Sequence, residues 1–293
     1  MRKPRAGSLE HRDLFCRTFI ETHLPFEPDG LPWPRLEQRY IDLLRAFPFW
    51  SFARSMEQEA DRMIAAFAKT IDDPVIREAI ELQGYEEGRH ERLLDHMLER
   101  YEIPAERVPL SSLPVTRDDF VVFGFGECLD SIIGFGGFAI AREKNVFPKA
   151  LLDIFEHILF EEARHIVFFI NWWRYEEERA GRTNPIARAF AALQYHIRAG
   201  SHQAQGAQGS AVATTPMDLT SGGSQAVLEG VTPQMFIAAA LAEERKHMAR
   251  LDARLLRPRL VPVLATAALL GLRMLPPRAA QPAEAERGLR IAG

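Results

Sequence analysis

Two pentapeptides concentrate the reactive residues of this chain: Glu86-Glu87-Gly88-Arg89-His90 and Glu161-Glu162-Ala163-Arg164-His165. Each has the form acid-Glu-x-Arg-His. In a helix Glu87 and His90, like Glu162 and His165, stand three apart and share a face. From there a carboxylate and an imidazole can hold one metal ion from the same side. One further Glu precedes each copy: Glu57 lies 30 residues before Glu87, and Glu127 lies 35 residues before Glu162. A single Glu-x-x-His arises often by chance. Two copies, each with the same flanking acid and arginine and an upstream Glu, form a specific signal.

Four helices that contribute Glu, Glu-x-x-His, Glu and Glu-x-x-His carry the ligand set of carboxylate-bridged di-iron and di-manganese bundles. That rule selects Glu87, His90, Glu127, Glu162 and His165, with one acid from the first long helix. Glu57 and Glu59 both flank the apolar stripe there, and periodicity does not choose between them. Carboxylates can bridge two ions where imidazole cannot. Four of them neutralise two divalent charges, which makes burial of the cluster tolerable. Mixed nitrogen and oxygen ligation with open positions suits iron or manganese, whereas structural zinc prefers sulfur and a closed tetrahedron. Glu86 and Glu161 sit beside the ligand acids. In antiparallel helices each can reach the other helix's histidine and set its tautomer, with Arg89 and Arg164 keeping these supporting acids ionised. A solvated charged face would not explain the apolar surroundings, Ile154-Phe155 and Ile166 to Ile170.

The elements that must position these residues read as helices almost throughout. An amphipathic helix is expected over 9–23, a rigid connection from Pro25 to Pro34, and a short helix over 35–46. The first long helix covers 49–70, with Ala53, Met56, Ala60, Met63, Ile64 and Phe67 at helical spacing. Asp73-Pro74 is a start signal for the second, which runs to about Tyr101. Pro104, Pro109 and Pro114 mark a connection of roughly 15 residues, long enough to cross a bundle. The third helix spans 117–143 and the fourth 148–179. Strand-like alternation is nearly absent. After Pro185 a helix reaches about Arg198. Residues 200–232, rich in Gly, Ser, Ala, Gln and Thr, read as a linker or lid, and a last helical section begins near Pro233. The expected organisation is all-α: an N-terminal helical extension over 1–48, a four-helix bundle over 49–198, a linker over 199–232 and a C-terminal helical segment over 233–293.

Over residues 49–180 the chain resembles the ferritin-like di-iron carboxylate superfamily. The acid-Glu-x-Arg-His repeats look more like its oxygen-activating branch than like iron-storage ferritins. The string Glu57-Gln58-Glu59-Ala60 resembles the first-helix segment of aldehyde-deformylating oxygenases. That resemblance selects Glu57 as the first-helix ligand. It also implies a ferritin-like bundle, two iron ions (manganese or a mixed pair as alternatives), dioxygen or peroxide chemistry on a small organic molecule, and an external electron donor. The competing expectation is a metal-handling protein, a ferroxidase or peroxide scavenger of the manganese catalase type. Residues 1–48 and those after 180 lie outside the resemblance.

Two features lie beyond the repeats. The third helix carries Phe123-Gly124-Phe125-Gly126-Glu127 and Gly134-Phe135-Gly136-Gly137-Phe138. Interior glycines cost about 1 kcal/mol each relative to Ala, so the pattern implies either a phenylalanine-walled cavity for an apolar or aromatic substrate or close helix packing. A third near-copy, Glu243-Glu244-Arg245-Lys246-His247, places His247 on one stripe with Phe236 and Ala240. The expectation is that this helix covers the open end of the bundle and that His247, with Glu243 or Glu244, adds a ligand. A solvated charged face is the alternative.

Bulk properties narrow the function classes. Among 293 residues, 36 basic and 40 acidic groups give a net charge of −4, so nothing points to nucleic acid. Two cysteines, Cys16 and Cys128, fit a reducing cytoplasm and no disulfide scaffold. The basic N-terminus runs into Ser8-Leu9-Glu10-His11 without an apolar stretch, so no secretory leader is expected. The uncharged run from Leu260 to Leu272 is shorter than the roughly 20 residues of a membrane span. It is expected to pack on the bundle or on a second copy of the chain, with peripheral membrane contact as the lesser alternative.

Overall fold

The computed structural model describes residues 2–47, 49–107, 115–209 and 222–274, with backbone alone over 202–209 and at 222. Among the described residues there are ten α-helices, one 3-10 turn at Pro28–Gly30 and no strand. The helices are α1 (Leu9–Glu21), α2 (Gln38–Arg45), α3 (Trp50–Ala68), α4 (Pro74–Arg100), α5 (Arg117–Glu143), α6 (Lys149–Arg179), α7 (Pro185–Gly209), α8 (Gly222–Leu228), α9 (Pro233–Met248) and α10 (Leu260–Met274).

Local chemistry sets the starts of the long helices. Asp73 accepts from the amides of Val75 and Ile76, with Pro74 at the first helical position. Thr116 and Asp119 form a reciprocal capping box at α5. Thr232 caps α9 ahead of Pro233.

α3 packs along α4, where Gly84 admits Ile64 and the backbone of Ala65 at van der Waals distance. α5 packs along α6, and α3 and α4 meet α5 and α6 across the bundle. Residue 86 faces 165 while 90 faces 161, so α4 and α6 run antiparallel. The tight turn between α5 and α6 then makes α5 parallel to α4, so α5 starts at the opposite end of the bundle from the close of α4, after a connection that is only partly described. Its residues 108–114, with Pro109 and Pro114 of the expected connection, lie outside the described residues.

The apolar core is divided. One cluster includes Ala60–Ala68 of α3 and Ile76–Ile80 of α4; the other takes Trp50 of α3 and Leu93–Leu98 of α4. Glu57, Glu87 and His90 fall in the gap. α1 lies against α4 and α6, while α7 and α9 lie against α5, and α10 packs on α9. α5 is the one described helix long and apolar enough to cross a membrane, and half of its most apolar window is buried.

The expected linker over 199–232 is corrected at both ends. α7 continues eleven residues past Arg198 to Gly209, and Gly222–Leu228 is helical. Gln and Ala in the stretch Ser201–Gly209 are good helix formers. The remainder of that linker, 210–221, lies outside the described residues, as do 275–293.

Candidate metal centre

Four helices bring one polar cluster together. α3 presents Glu57, α4 Glu87 and His90, α5 Glu127, and α6 Glu162 and His165. One ligand atom from each of Glu57, Glu87, His90 and Glu162 lies within 4.8 Å of the others, and the same holds for Glu87, Glu127 and His165. Nδ1 of His90 is 3.4 Å from Glu57, 3.5 Å from Glu87 Oε2 and 3.2 Å from Glu162 Oε1. Nδ1 of His165 is 3.0 Å from Glu87 Oε1 and 3.9 Å from Glu162 Oε2. Glu87 and Glu162 therefore turn one oxygen toward each imidazole. Glu57 serves only the His90 side and Glu127 only the His165 side. Glu59 joins neither group.

Behind the rings the arrangement is mirrored. His90 Nε2 lies 3.0 Å from Glu161 Oε2, and His165 Nε2 lies 2.9 Å from Glu86 Oε2. Carboxylates accept, so each Nε2–H donates backward and each Nδ1 is left facing the cluster, where it offers a lone pair once its proton is displaced. Both Nδ1 atoms are buried without a hydrogen-bond partner. Arg89 donates to Glu161, and Arg164 donates to both oxygens of Glu86 at 2.7 and 2.9 Å. Glu86, Glu161, both arginines and both histidines are at most 1 % exposed. The opposite side is more open: the side chains of Glu57 and Glu162 retain 22 % and 17 % exposure.

This surrounding fixes the charges of the metal-free cluster. Burial pushes the Glu57 carboxyl up to about 7 against the pull of His90. It also drives Glu127 well above the usual carboxylate range, reinforced by Glu162 and Glu87. Burial works the same way on Glu87 but is outweighed by His165 and His90, which hold that carboxylate low. Burial opposes charge on the imidazoles too. Even so, Glu87 and Glu86 raise His165 to about 10, and Glu161, Glu162, Glu57 and Glu87 raise His90 well above 6.5.

The N-terminal segment completes the site, although it lies outside the repeated motif spacing. His23 Nδ1 lies 2.6 Å from Glu86 Oε1. Thr22 accepts from Arg164 Nε at 2.9 Å, as does the Phe19 carbonyl from the same guanidinium. The carbonyls of Leu24 and Phe26 accept from Arg89 at 2.8 and 2.9 Å. A signal for this did exist. The buried stripe Phe15–Phe19 of α1, continued at helical spacing, arrives at Thr22 and His23, polar groups on a buried face.

Two expectations are revised. His247 does not join the cluster. Glu243, Glu244 and His247 are all buried, so α9 does turn them inward and the solvated-face reading fails as well. They meet a different part of the bundle, however. His247 Nε2 is 3.1 Å from Glu243 and 3.6 Å from Glu156, and its ring stacks on Phe135 at 5.6 Å. Phe135 lies eight residues beyond Glu127, roughly 12 Å further along α5. Lys246 and Arg142 already pair with Glu156 and Glu243, so this network joins α5, α6 and α9 through its own cations. Glu244 is buried nearby, its carboxyl pushed up to about 7. The glycines of α5 also serve packing at two positions. A Cβ on Gly124 would meet the Phe169 ring at 2.2 Å, and one on Gly136 would meet Phe236 at 2.6 Å. Phenylalanine rings fill these notches.

Compared with protein-family models, with curated proteins and with solved structures, the chain matches none.

Proposed function

We propose that this protein is a non-haem di-metal oxidoreductase of the ferritin-like di-iron carboxylate kind, which activates dioxygen to oxidise a small organic substrate with electrons from an external donor. The observation that carries the reading is the pair of buried, unpartnered imidazole nitrogens, His90 Nδ1 and His165 Nδ1, aimed at two carboxylates they share. Leaving such atoms without a partner costs about 1–3 kcal/mol each, which a coordinated ion would recover. Charge supports the same reading. Six carboxylates (Glu57, Glu86, Glu87, Glu127, Glu161 and Glu162) face two guanidinium groups; with all six ionised, two divalent ions would balance the remaining four negative charges.

In this reading Glu57 and His90 would hold one ion and Glu127 and His165 the other, with Glu87 and Glu162 available to both. Two iron ions there would supply the reducing electrons for dioxygen chemistry; manganese or a mixed pair fits the same nitrogen and oxygen donors. Glu161 and Glu86 hold the imidazoles in the tautomer that leaves Nδ1 free, and Arg89 and Arg164 hold those acids in place. The closed histidine side excludes water, while the partly exposed side of Glu57 and Glu162 gives small molecules a way in.

A second reading, ferroxidase or peroxide scavenging without an organic substrate, is favoured by the filled notches at Gly124 and Gly136, which remove the sequence argument for an apolar cavity. Anaerobic titration with ferrous iron followed by oxygen exposure separates the outcomes. Saturation at two ions per chain, with oxygen uptake and a new near-ultraviolet absorption, supports the proposal. Uptake of many ions as mineral supports metal handling. No binding, or undiminished binding in a His90→Ala/His165→Ala variant, refutes the site.

A further inference from the structure

The outer face of α7 carries an apolar seam that nothing in the chain covers among the described residues. Ile186, Phe190, Leu193 and Ile197 are 80 %, 60 %, 39 % and 59 % exposed. Their spacing of four, three and four residues is that of a coiled-coil contact line. The opposite face of the same helix, Arg188, Ala191, Ala192, Tyr195 and Ala199, turns toward the body. Tyr195, for instance, stacks on Phe125 at 5.7 Å and donates to Asp118. The seam is therefore not a frayed surface helix but the free side of a docked one.

We propose that this seam is a two-fold interface between two copies of the chain, α7 packing antiparallel on α7 of the second copy. In that arrangement Phe190 meets Leu193 of the second copy and Ile186 meets its Ile197, so the surface is complementary to itself, as a two-fold axis requires. Flanking positions Ala187, Ala189 and Gln194 are exposed, small or neutral, which permits close approach of the axes and sets no like charges against each other. At 150–250 Å² for a fully exposed large side chain, the four seam residues offer roughly 500 Å² per copy. Doubled, that reaches the roughly 1,000 Å² at which specific interfaces begin. A bilayer surface is the less suited occupant. Such helices flank their apolar face with several free cations, whereas the exposed cation of this stretch, Arg198, is already paired with Asp118 at 2.6 Å.

Light scattering coupled to size exclusion on the full chain tests this. The expected result is a mass about twice the 33.2 kDa of one chain, falling to one chain in a Phe190→Glu/Ile197→Glu variant whose helical circular dichroism and thermal unfolding are those of the isolated protomer. If that variant unfolds, Ile186→Lys, at the most exposed end of the seam, replaces it. A monomeric wild type overturns the proposal, and so does a dimer that survives the substitutions, which would place the interface elsewhere. A monomer that sediments with phosphatidylglycerol vesicles also overturns it and assigns the seam to a lipid surface.

Discussion

Gly124→Ala is the most informative single change, because it joins core packing to the proposed metal ligands through two short steps. The added methyl carbon would sit 2.2, 2.4 and 2.5 Å from three atoms of the Phe169 ring, more than 1 Å inside ordinary contact. The ring cannot simply retreat. It is 2 % exposed and hemmed by Phe125 at 5.0 Å and Phe120 at 6.2 Å, both nearly perpendicular to it. Overpacking of this kind costs about 1–3 kcal/mol, against a gain of about 1 kcal/mol from replacing an interior helical glycine by alanine. A clash this deep belongs at the upper end, so the expected net loss is about 1–2 kcal/mol. For a domain of this size that lowers Tm by about 2–8 °C. Gly134→Ala is the control on the same helix. Nothing lies within 4 Å of its Cβ, so the variant should gain about 0.5–1 kcal/mol. Circular dichroism melts of both variants, with Gly124→Ala/Phe169→Leu to restore room, decide the matter. Gly124 stands one turn before Glu127, and Phe169 one turn after His165. The displaced ring should therefore weaken metal at the Glu127–His165 position more than at the Glu57–His90 position, visible as a split in competition titrations. A Gly124→Ala protein as stable as Gly134→Ala would refute the packing account of the α5 glycines.

Three further outcomes follow from the cluster. Glu57→Ala should weaken one of two metal equivalents in chelator competition while Glu59→Ala leaves both unchanged; the reverse order would move the first-helix ligand. Glu86→Ala should lose roughly 10- to 100-fold in metal affinity and His23→Ala a smaller part of that, with His23→Gln recovering it; wild-type affinity in both Ala variants would reduce these residues to packing. Because the surrounding carboxylates raise His90 and His165 and burial raises Glu127 in the metal-free chain, metal uptake should expel protons and affinity should climb with pH; calorimetry in buffers of differing ionisation enthalpy showing no proton release would contradict this.

The repeated motif was legible because helical spacing is local. Residues three apart share a face whatever the rest of the chain does, so the sequence could also anticipate that Glu161 and Glu86 approach the opposing histidines once the helices are antiparallel. The choice between Glu57 and Glu59 was not legible from periodicity, since both lie beside the same stripe; only the rotation of α3 against α4 separates them. Distance along the bundle was equally hidden. His247 belongs to an inward-facing stripe, as its neighbours indicated, but a stripe does not say at which level its helix docks, and α9 docks well past Glu127. His23 went unnoticed because it stands beyond the end of α1, where periodic reasoning is usually stopped. Composition misjudged residues 199–209, whose alanines and glutamines suit a helix as well as a linker.

The segment from Phe19 to Phe26 also dictates an order of assembly. Its carbonyls and side chains accept from both buried guanidinium groups, and the Thr22–Arg164 bond spans 142 positions of sequence. On the ribosome α1 is made before any of its partners and must wait, its phenylalanines exposed, until α6 has emerged. Until α1 docks, Arg164 lacks its neutral acceptors and Glu86 lacks His23. A short deletion near the start of the chain should therefore disturb metal binding in the middle of the bundle more than its place in the sequence suggests.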